Sequence, residues 1–103
     1  TDFPVEYINP IFTFYSAVFR QNANMPEQEP FLANESLSHL EALKGMTLNA
    51  AKALGIEKSV GSLVVGKQAD FCLWDISSPA ELAYTFGVNP CEQVIKAGKI
   101  IQQ

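Results

Sequence analysis

The sequence predicts an α+β fold, with helices in its first half and a small sheet with one inserted helix in its second half. Residues 1–55 are rich in aromatic residues, alanine and leucine, arranged with helical spacing. Residues 56–103 instead carry short β-branched runs separated by glycines. Because helical and strand periodicities differ, this change of pattern predicts a change of architecture close to residue 55.

The composition is that of about one small domain with little surface charge. The 103 residues are 48% hydrophobic and 17% charged, against about 25% charged in an ordinary soluble domain. We therefore expect the chain to pack against more protein, and Thr1 in place of a starting methionine agrees with this. A net charge of −4 argues against a nucleic-acid partner, which would need a basic face.

The chain shows no targeting or membrane signal. No run approaches the roughly 18 apolar residues of a membrane span, and no signal segment opens the sequence. We therefore expect a cytoplasmic protein with no membrane partner. Two cysteines, Cys72 and Cys91, are too few for a disulfide framework, so they are predicted to be reduced thiols packed as small apolar groups.

The first helix is predicted over residues 10–20. Asn9 is a good N-cap, and Pro10 suits the first helical position because its missing N–H bonds nothing there. Apolar side chains on more than one face predict neighbours on both sides of this helix. They are Ile11, Phe12, Phe14, Tyr15, Val18 and Phe19. The proline-containing stretch Gln21–Ser36 is predicted to be an exposed loop.

Two short helices are predicted to follow this loop. Ser38 and Glu41 have the spacing of a capping box, which predicts a helix that ends at Gly45. Thr47 is predicted to cap a second helix over Leu48–Leu54.

Gly55 is predicted to end that second helix in the left-handed conformation. Strands are predicted over Gly61–Gly66 and Ala69–Asp75. The first of these lacks the lysine and the following helix of a phosphate-binding loop. Alternation places Phe71, Leu73 and Asp75 on one face of the second strand and Cys72, Trp74 and Ile76 on the other.

The last third is predicted to hold one helix and a hairpin. Residues 78–81 repeat the capping-box spacing with proline at the first helical position, and Gly87 is predicted to end that helix. Gln93–Lys96 and Lys99–Gln103 flank Ala97-Gly98, which predicts a terminal β-hairpin.

Few side chains could carry chemistry. His39 is the single histidine, so the chain cannot form a histidine-based zinc site alone. It sits in the first turn of a predicted helix, where a neutral or solvent-facing imidazole is expected. Asp2 lies beside a rigid proline turn and is either a metal ligand and general base or a turn or cap residue.

The chain resembles the amidohydrolase superfamily over nearly its whole length. The first six residues with Asn9-Pro10 resemble the segment after the eighth barrel strand, in a branch with a Ser/Thr-Asp-Phe-Pro-Val pattern. Residues 41–55 resemble the helices that follow, and residues 74–90 resemble the end of the imidazolonepropionase branch. The closing sheet domain is matched by Gly61-Ser62-Leu63, Val65-Gly66-Lys67, Ala69-Asp70 and Trp74-Asp75.

This resemblance implies a (β/α)8 barrel with a small β-sandwich. Residues 1–55 would be the last βα segment of the barrel, and residues 56–103 the sandwich segment. The barrel would hold one or two divalent metals, zinc or iron, for hydrolysis of a small-molecule amide or cyclic amide. Asp2 matches the aspartate that ligates metal and accepts the proton of the attacking water. A broader amidase or deacetylase-like activity stays open beside the imidazolonepropionase one.

The metal-binding histidines of that family have no counterpart in this chain. We therefore expect the chain alone to bind no metal and to be inactive, with Asp2 a ligand only in a complete barrel. Loss of the barrel would expose helix 10–20, which predicts self-association through it. A non-catalytic interaction or oligomerisation module derived from the family is the alternative.

Overall fold

The predicted α+β fold class is confirmed by a computed structural model, which describes residues 4–84 and 88–102. Contacts divide the chain into two compact units. The first unit is Thr1–Ala42 with Ser77–Val88, and the second is Leu43–Ile76 with Asn89–Gln103. The described helices are α1 (Pro10–Phe19), α2 (His39–Met46), α3 (Leu48–Ala53) and the 3₁₀ helices Ala33–Glu35 and Pro79–Ala83; the strands are β1 (Phe71–Trp74), β2 (Cys91–Lys96) and β3 (Lys99–Gln102).

Helix α1 begins as its sequence predicts. The Asn9 Oδ1 atom accepts a hydrogen bond from the Ile11 backbone N–H at 3.0 Å, and Pro10 occupies the first turn. The helix ends one residue before the predicted Arg20, because Arg20 adopts a left-handed φ of 54°. Its N–H still donates to the Ser16 carbonyl at 2.9 Å, which caps the last turn.

The core of the first unit lies on one face of α1, where the helix packs against the 3₁₀ helix Pro79–Ala83. Phe14 is the most deeply buried large side chain, at 1% exposed. The buried apolar residues of this unit are Ile11, Phe14, Val18, Ala42, Leu82 and Ala83. The other aromatic residues of α1 are half-buried. One of the two expected neighbours of the helix is therefore found within the chain.

The stretch between α1 and α2 is the exposed loop that the sequence predicts. Every residue from 24 to 38 is exposed, and a 3₁₀ turn at Ala33–Glu35 interrupts the loop. Leu32 precedes that turn with a φ of 50°.

Helix α2 carries the predicted capping box. The Ser38 N–H and hydroxyl donate to Glu41 Oε2 at 2.9 and 2.7 Å, and the Glu41 N–H donates to Ser38 Oγ at 3.3 Å. The helix continues past the predicted end at Gly45 to Met46. Gly45 therefore lies inside the helix, and a Cβ there would meet no atom within 4 Å.

The predicted cap of α3 by Thr47 is wrong. The Thr47 hydroxyl donates backwards to the Leu43 carbonyl at 2.7 Å, so it satisfies the end of α2 and not the start of α3. The end of α3 follows the prediction closely. Gly55 has a φ of 70°, its N–H donates to Lys52, and the Ile56 N–H donates to Ala51, which is the bonding pattern of a Schellman motif.

The strand predicted over Gly61–Gly66 is not formed. The Lys67 N–H closes a turn onto the Val64 carbonyl at 3.1 Å, and both bounding glycines have positive φ. Gly61 also approaches α3 so closely that a Cβ there would lie 2.6 Å from the Ala51 Cβ. These glycines therefore serve a turn and a close backbone approach.

The second unit contains an antiparallel sheet with the strand order β1-β2-β3. The predicted hairpin is confirmed, since Ala97 and Gly98 connect β2 to β3 with φ values of 50° and 75°. Strand β1 is shorter than the predicted 69–75. Asp70 lies outside it and accepts hydrogen bonds at 2.8 Å from the Ala97 N–H and from Lys96 Nζ. The ladder with β2 contains a β-bulge beside Leu73 and Trp74, where β2 carries one extra residue, so the alternation predicted for β1 itself is kept.

The helix predicted after Ser78 is a short 3₁₀ helix, Pro79–Ala83. The Ser78 side chain makes no capping bond there, which corrects the predicted capping box. Instead, Glu81 Oε1 accepts from the Ser77 N–H at 3.0 Å, one residue earlier than predicted. Gly87, the predicted end of the helix, lies outside the described residues.

Candidate functional site

The predicted catalytic and metal-binding residue, Asp2, lies outside the described residues. The structure describes the segment that follows it, which runs from Pro4 into the cap of α1. Val5, Tyr7 and Ile8 are 80%, 75% and 71% exposed. Tyr7 packs edge-on against Phe12 with a centroid distance of 5.7 Å, which holds this segment against α1.

An open cavity of about 950 Å³ lies between this segment, α1 and the start of the following loop. We call it the N-terminal groove. Its charged lining side chains among the described residues are Glu6 and Arg20. Asn22 contributes further polar atoms, and Phe31 is among the apolar lining residues. The groove is therefore lined in part by residues 5–7, which follow Asp2 closely in the sequence.

Arg20 builds one wall of this groove. Its left-handed backbone turns the chain out of α1, and its Nε donates to the Phe31 carbonyl at 3.1 Å. The guanidinium carbon lies 5.6 Å from the Phe31 ring centroid, in cation–π range. Gln21 Nε2 ties the next part of the loop by donating to the carbonyls of Pro26 and Gln28 at 2.7 and 2.8 Å.

The groove is lined by charged groups of both signs. Glu6 and Arg20 supply a carboxylate and a guanidinium. Thr13 Oγ1 is buried, so it is not accessible from the groove, and it has no hydrogen-bond partner among the described residues. The sequence pattern assigns no role to Thr13 or Arg20, because their position depends on how the loop folds back on α1.

His39, expected to be either neutral or solvent-facing, is half-buried in the structure. Its Nε2 atom is buried and lacks a hydrogen-bond partner among the described residues. The ring centroid lies 6.1 Å from that of Phe14 and 6.5 Å from that of Phe19. The imidazole therefore packs as part of an aromatic cluster in the first unit.

The described residues do not fit a divalent metal. Within residues 4–84 and 88–102, no group of three or more histidine, cysteine or acidic side chains could hold an ion. The chain's single histidine is packed between phenyl rings, and both cysteines are free thiols. Cys72 is exposed and Cys91 is half-buried, so the predicted apolar packing is wrong for Cys72. Among the described helices, none has the length and hydropathy of a membrane span.

Comparison with known proteins identifies relatives of the chain. The sequence model of the amidohydrolase family matches residues 1–102. The chain is 76% identical over 63 residues to the imidazolonepropionases of Shewanella baltica (strain OS185) and Shewanella sp. (strain ANA-3). It is 75% identical over the same length to that of Shewanella putrefaciens (strain CN-32 / ATCC BAA-453).

These matches cover 61% of this chain and 15% of each relative. The chain therefore matches a small part of the length of these curated relatives. The family model, by contrast, covers almost every residue of the chain, including the predicted site at Asp2. The chain belongs to the amidohydrolase family.

Proposed function

We propose that this chain is the C-terminal portion of a metal-dependent amidohydrolase that hydrolyses a C–N bond in a small amide or cyclic amide, as an imidazolonepropionase-like enzyme. The observation that carries the proposal is the 76% identity over 63 residues to imidazolonepropionases. Such identity along most of the chain favours this branch over a broader amidase or deacetylase-like hydrolase.

Asp2 is the residue to which we assign a chemical role. In the complete barrel its carboxylate would accept a proton from the attacking water and contribute an oxygen ligand to the metal. A divalent zinc or iron ion would supply Lewis acidity, held mainly by side chains outside this chain. The described residues do not provide that site.

In the complete protein, the two parts of this chain would belong to different domains. Residues 1–55 would close the barrel, and residues 56–103 would belong to the sandwich. The 103-residue chain alone would be inactive, because an isolated carboxylate cannot fix a metal or exclude water. A cytoplasmic location is part of the same proposal.

The test replaces Asp2 in the complete protein. Asp2→Asn keeps the size of the side chain and removes its basicity, so kcat should fall by about a hundredfold to ten-thousandfold. Glu29→Gln is the matched control, since Glu29 is an exposed carboxylate of the loop between α1 and α2 and does not line the N-terminal groove. Its kcat should stay within about twofold, because an exposed surface charge contributes little. Equal kcat values for both variants would contradict the role of Asp2.

A second candidate function is self-association, as an interaction module. The exposed apolar side chains of Val5, Tyr7 and Ile8 beside α1 favour it. In this proposal, two copies of the chain would cover each other's α1 region. Sedimentation velocity of the chain should show a dimer that dissociates on dilution, and Tyr7→Ser should shift it to monomer. A monomer at all micromolar concentrations would contradict this proposal.

A further inference from the structure

The two cysteines lie near the β-bulge in the ladder between β1 and β2. Cys72 pairs with Val94 and Leu73 pairs with Gln93, as in a regular antiparallel ladder. The next pair is Trp74 with Cys91, so one residue of β2, Glu92, is skipped. This extra residue is what defines the bulge.

The bulge changes the face on which Cys91 lies. In a regular ladder, Glu92 would pair with Trp74, and Cys91 would point to the face opposite Cys72, because side chains alternate. With Glu92 skipped, Cys91 is opposite Trp74, which shares a face with Cys72. The thiols therefore become diagonal neighbours on one face of the sheet.

The titration of Cys72 supports this proximity. Partial burial raises the pKa of the Cys72 thiol, and the Cys91 thiol raises it further through its charge and a side-chain hydrogen bond. The Cys91 Sγ atom also lies 3.6 Å from the Gln93 carbonyl oxygen, to which it donates. Both sulfurs are free, and Cys72 is exposed to reagents in solution.

We propose that Cys72 and Cys91 are a paired dithiol that closes to an intrachain disulfide on reaction with a small-molecule disulfide. One cysteine thiolate attacks the reagent's S–S bond, which forms a mixed disulfide and releases one reagent thiolate. The second cysteine thiolate then attacks the protein sulfur of that mixed disulfide and releases the other reagent thiolate. The two protein thiols are oxidised, the reagent disulfide is reduced, and the two protons pass to the released thiolates or to the buffer.

The closure would join β1 to β2 across the bulge. Diagonal neighbours lie slightly beyond disulfide distance in a regular sheet, so closure needs a small movement of the two strands at the bulge. The 3₁₀ helix Pro79–Ala83 would then lie within the closed covalent loop in sequence. Oxidation would therefore restrict this segment, and excess reduced thiol would release it.

The experiment treats the reduced 103-residue chain with oxidised glutathione under anaerobic conditions. Intact mass should show a monomer that has lost a pair of hydrogen atoms and retains no glutathione, and peptide mapping should link residues 72 and 91. The closure rate should rise with pH, because the raised pKa of Cys72 limits its thiolate at neutral pH. A stable glutathione adduct or a disulfide-linked dimer as the main product would overturn the proposal.

A matched variant separates the sheet register from simple chain flexibility. Cys91→Ser combined with Gln93→Cys moves the thiol to the position opposite Leu73, on the other face, with nearly the same separation in sequence. Closure should then slow by on the order of tenfold or more, with the glutathione adduct accumulating. Disulfide closure between Cys72 and Cys91 should slow by a similar factor when the unaltered chain is unfolded in urea. Equal closure rates for the folded native pair and for its urea-unfolded form would overturn the proposal.

Discussion

The two units of the chain are stabilised in different ways. The first unit holds six of the eight buried core residues described, gathered on α1 and its neighbours. The second holds Ala51 and Ile95. Its structure depends instead on strand pairing, on the Schellman motif at Gly55, and on backbone approach at Gly61. Side-chain burial therefore dominates in one unit and backbone geometry in the other.

The two units are therefore expected to tolerate different substitutions. Loss of a large side chain should affect the first unit most, since a cavity in a small core is not refilled. Addition of a single Cβ atom should affect the second unit most, where a glycine is required by both φ and space. Substitutions in each unit test that contrast, and their effects are measured by denaturant unfolding or by titration of the chain.

The largest effect is expected from Phe14→Ala in the first unit. Phe14 is 1% exposed, so its removal should lower the free energy of unfolding by about 3–5 kcal/mol. Phe31→Ala is the matched control, because Phe31 is 70% exposed and contacts chiefly Arg20. Its loss should cost about 0.5–1 kcal/mol. Equal losses would show that α1 does not organise this core.

The next effect is expected from Gly61→Ala in the second unit. Its positive φ costs about 1–2 kcal/mol for an L-residue, and its Cβ would lie 2.6 Å from the Ala51 Cβ. The overlap should add about 1–3 kcal/mol. Gly66 has a similar φ of 94°, and a Cβ there would meet no atom within 4 Å. Gly66→Ala should therefore lose only the free energy that the positive φ costs. Equal urea midpoints for these two variants would contradict the close approach to α3.

A smaller effect is expected from Ser38→Ala at the start of α2. The substitution removes the hydroxyl that bonds Glu41 in both directions, which should cost about 1 kcal/mol. Ser36→Ala, at an exposed position outside the helix, should change stability by less than about 0.5 kcal/mol. Helical circular dichroism with urea unfolding measures both, and an unchanged midpoint for Ser38→Ala would rule out the capping role.

The smallest effect concerns the pH dependence of the hairpin. The Ala97 N–H and the Lys96 ammonium lower the pKa of Asp70 below its ordinary value of 3.8. The stabilisation by the charged carboxylate is therefore full above that value and is lost as pH falls through the lowered pKa.

Carboxyl NMR titration checks this shift directly. Lys96→Gln should raise the pKa of Asp70 only part of the way towards 3.8, because the Ala97 N–H still donates to it. A complete return to 3.8 in that variant would show that the ion pair, and not the backbone bond, is the main cause.

Local rules predicted much of the fold. The cap at Asn9, the capping box at Ser38, the stop at Gly55 and the turn at Ala97-Gly98 each depend on residues within a few positions of one another. Such interactions can be read from sequence because both partners are close in the chain.

The remaining features depend on a choice between local partners or on a distant element. Thr47 could have capped α3, but the Leu43 carbonyl, four residues earlier, takes its hydroxyl. The bulge at Glu92 depends on the pairing of β2 with β1, which the alternation within one strand does not reveal. The N-terminal groove likewise needs the loop to fold back at Arg20. The role of Asp2 stays a prediction.

We propose that the hydrolytic chemistry assigned to Asp2 requires a complete (β/α)8 barrel. The direct measurement compares hydrolysis of a cyclic amide by the complete protein and by the 103-residue chain, each with added zinc or iron. We expect metal-dependent turnover from the complete protein and only the buffer rate from the chain. Metal-dependent turnover by the chain alone, lost in its Asp2→Asn variant, would contradict this requirement for the barrel.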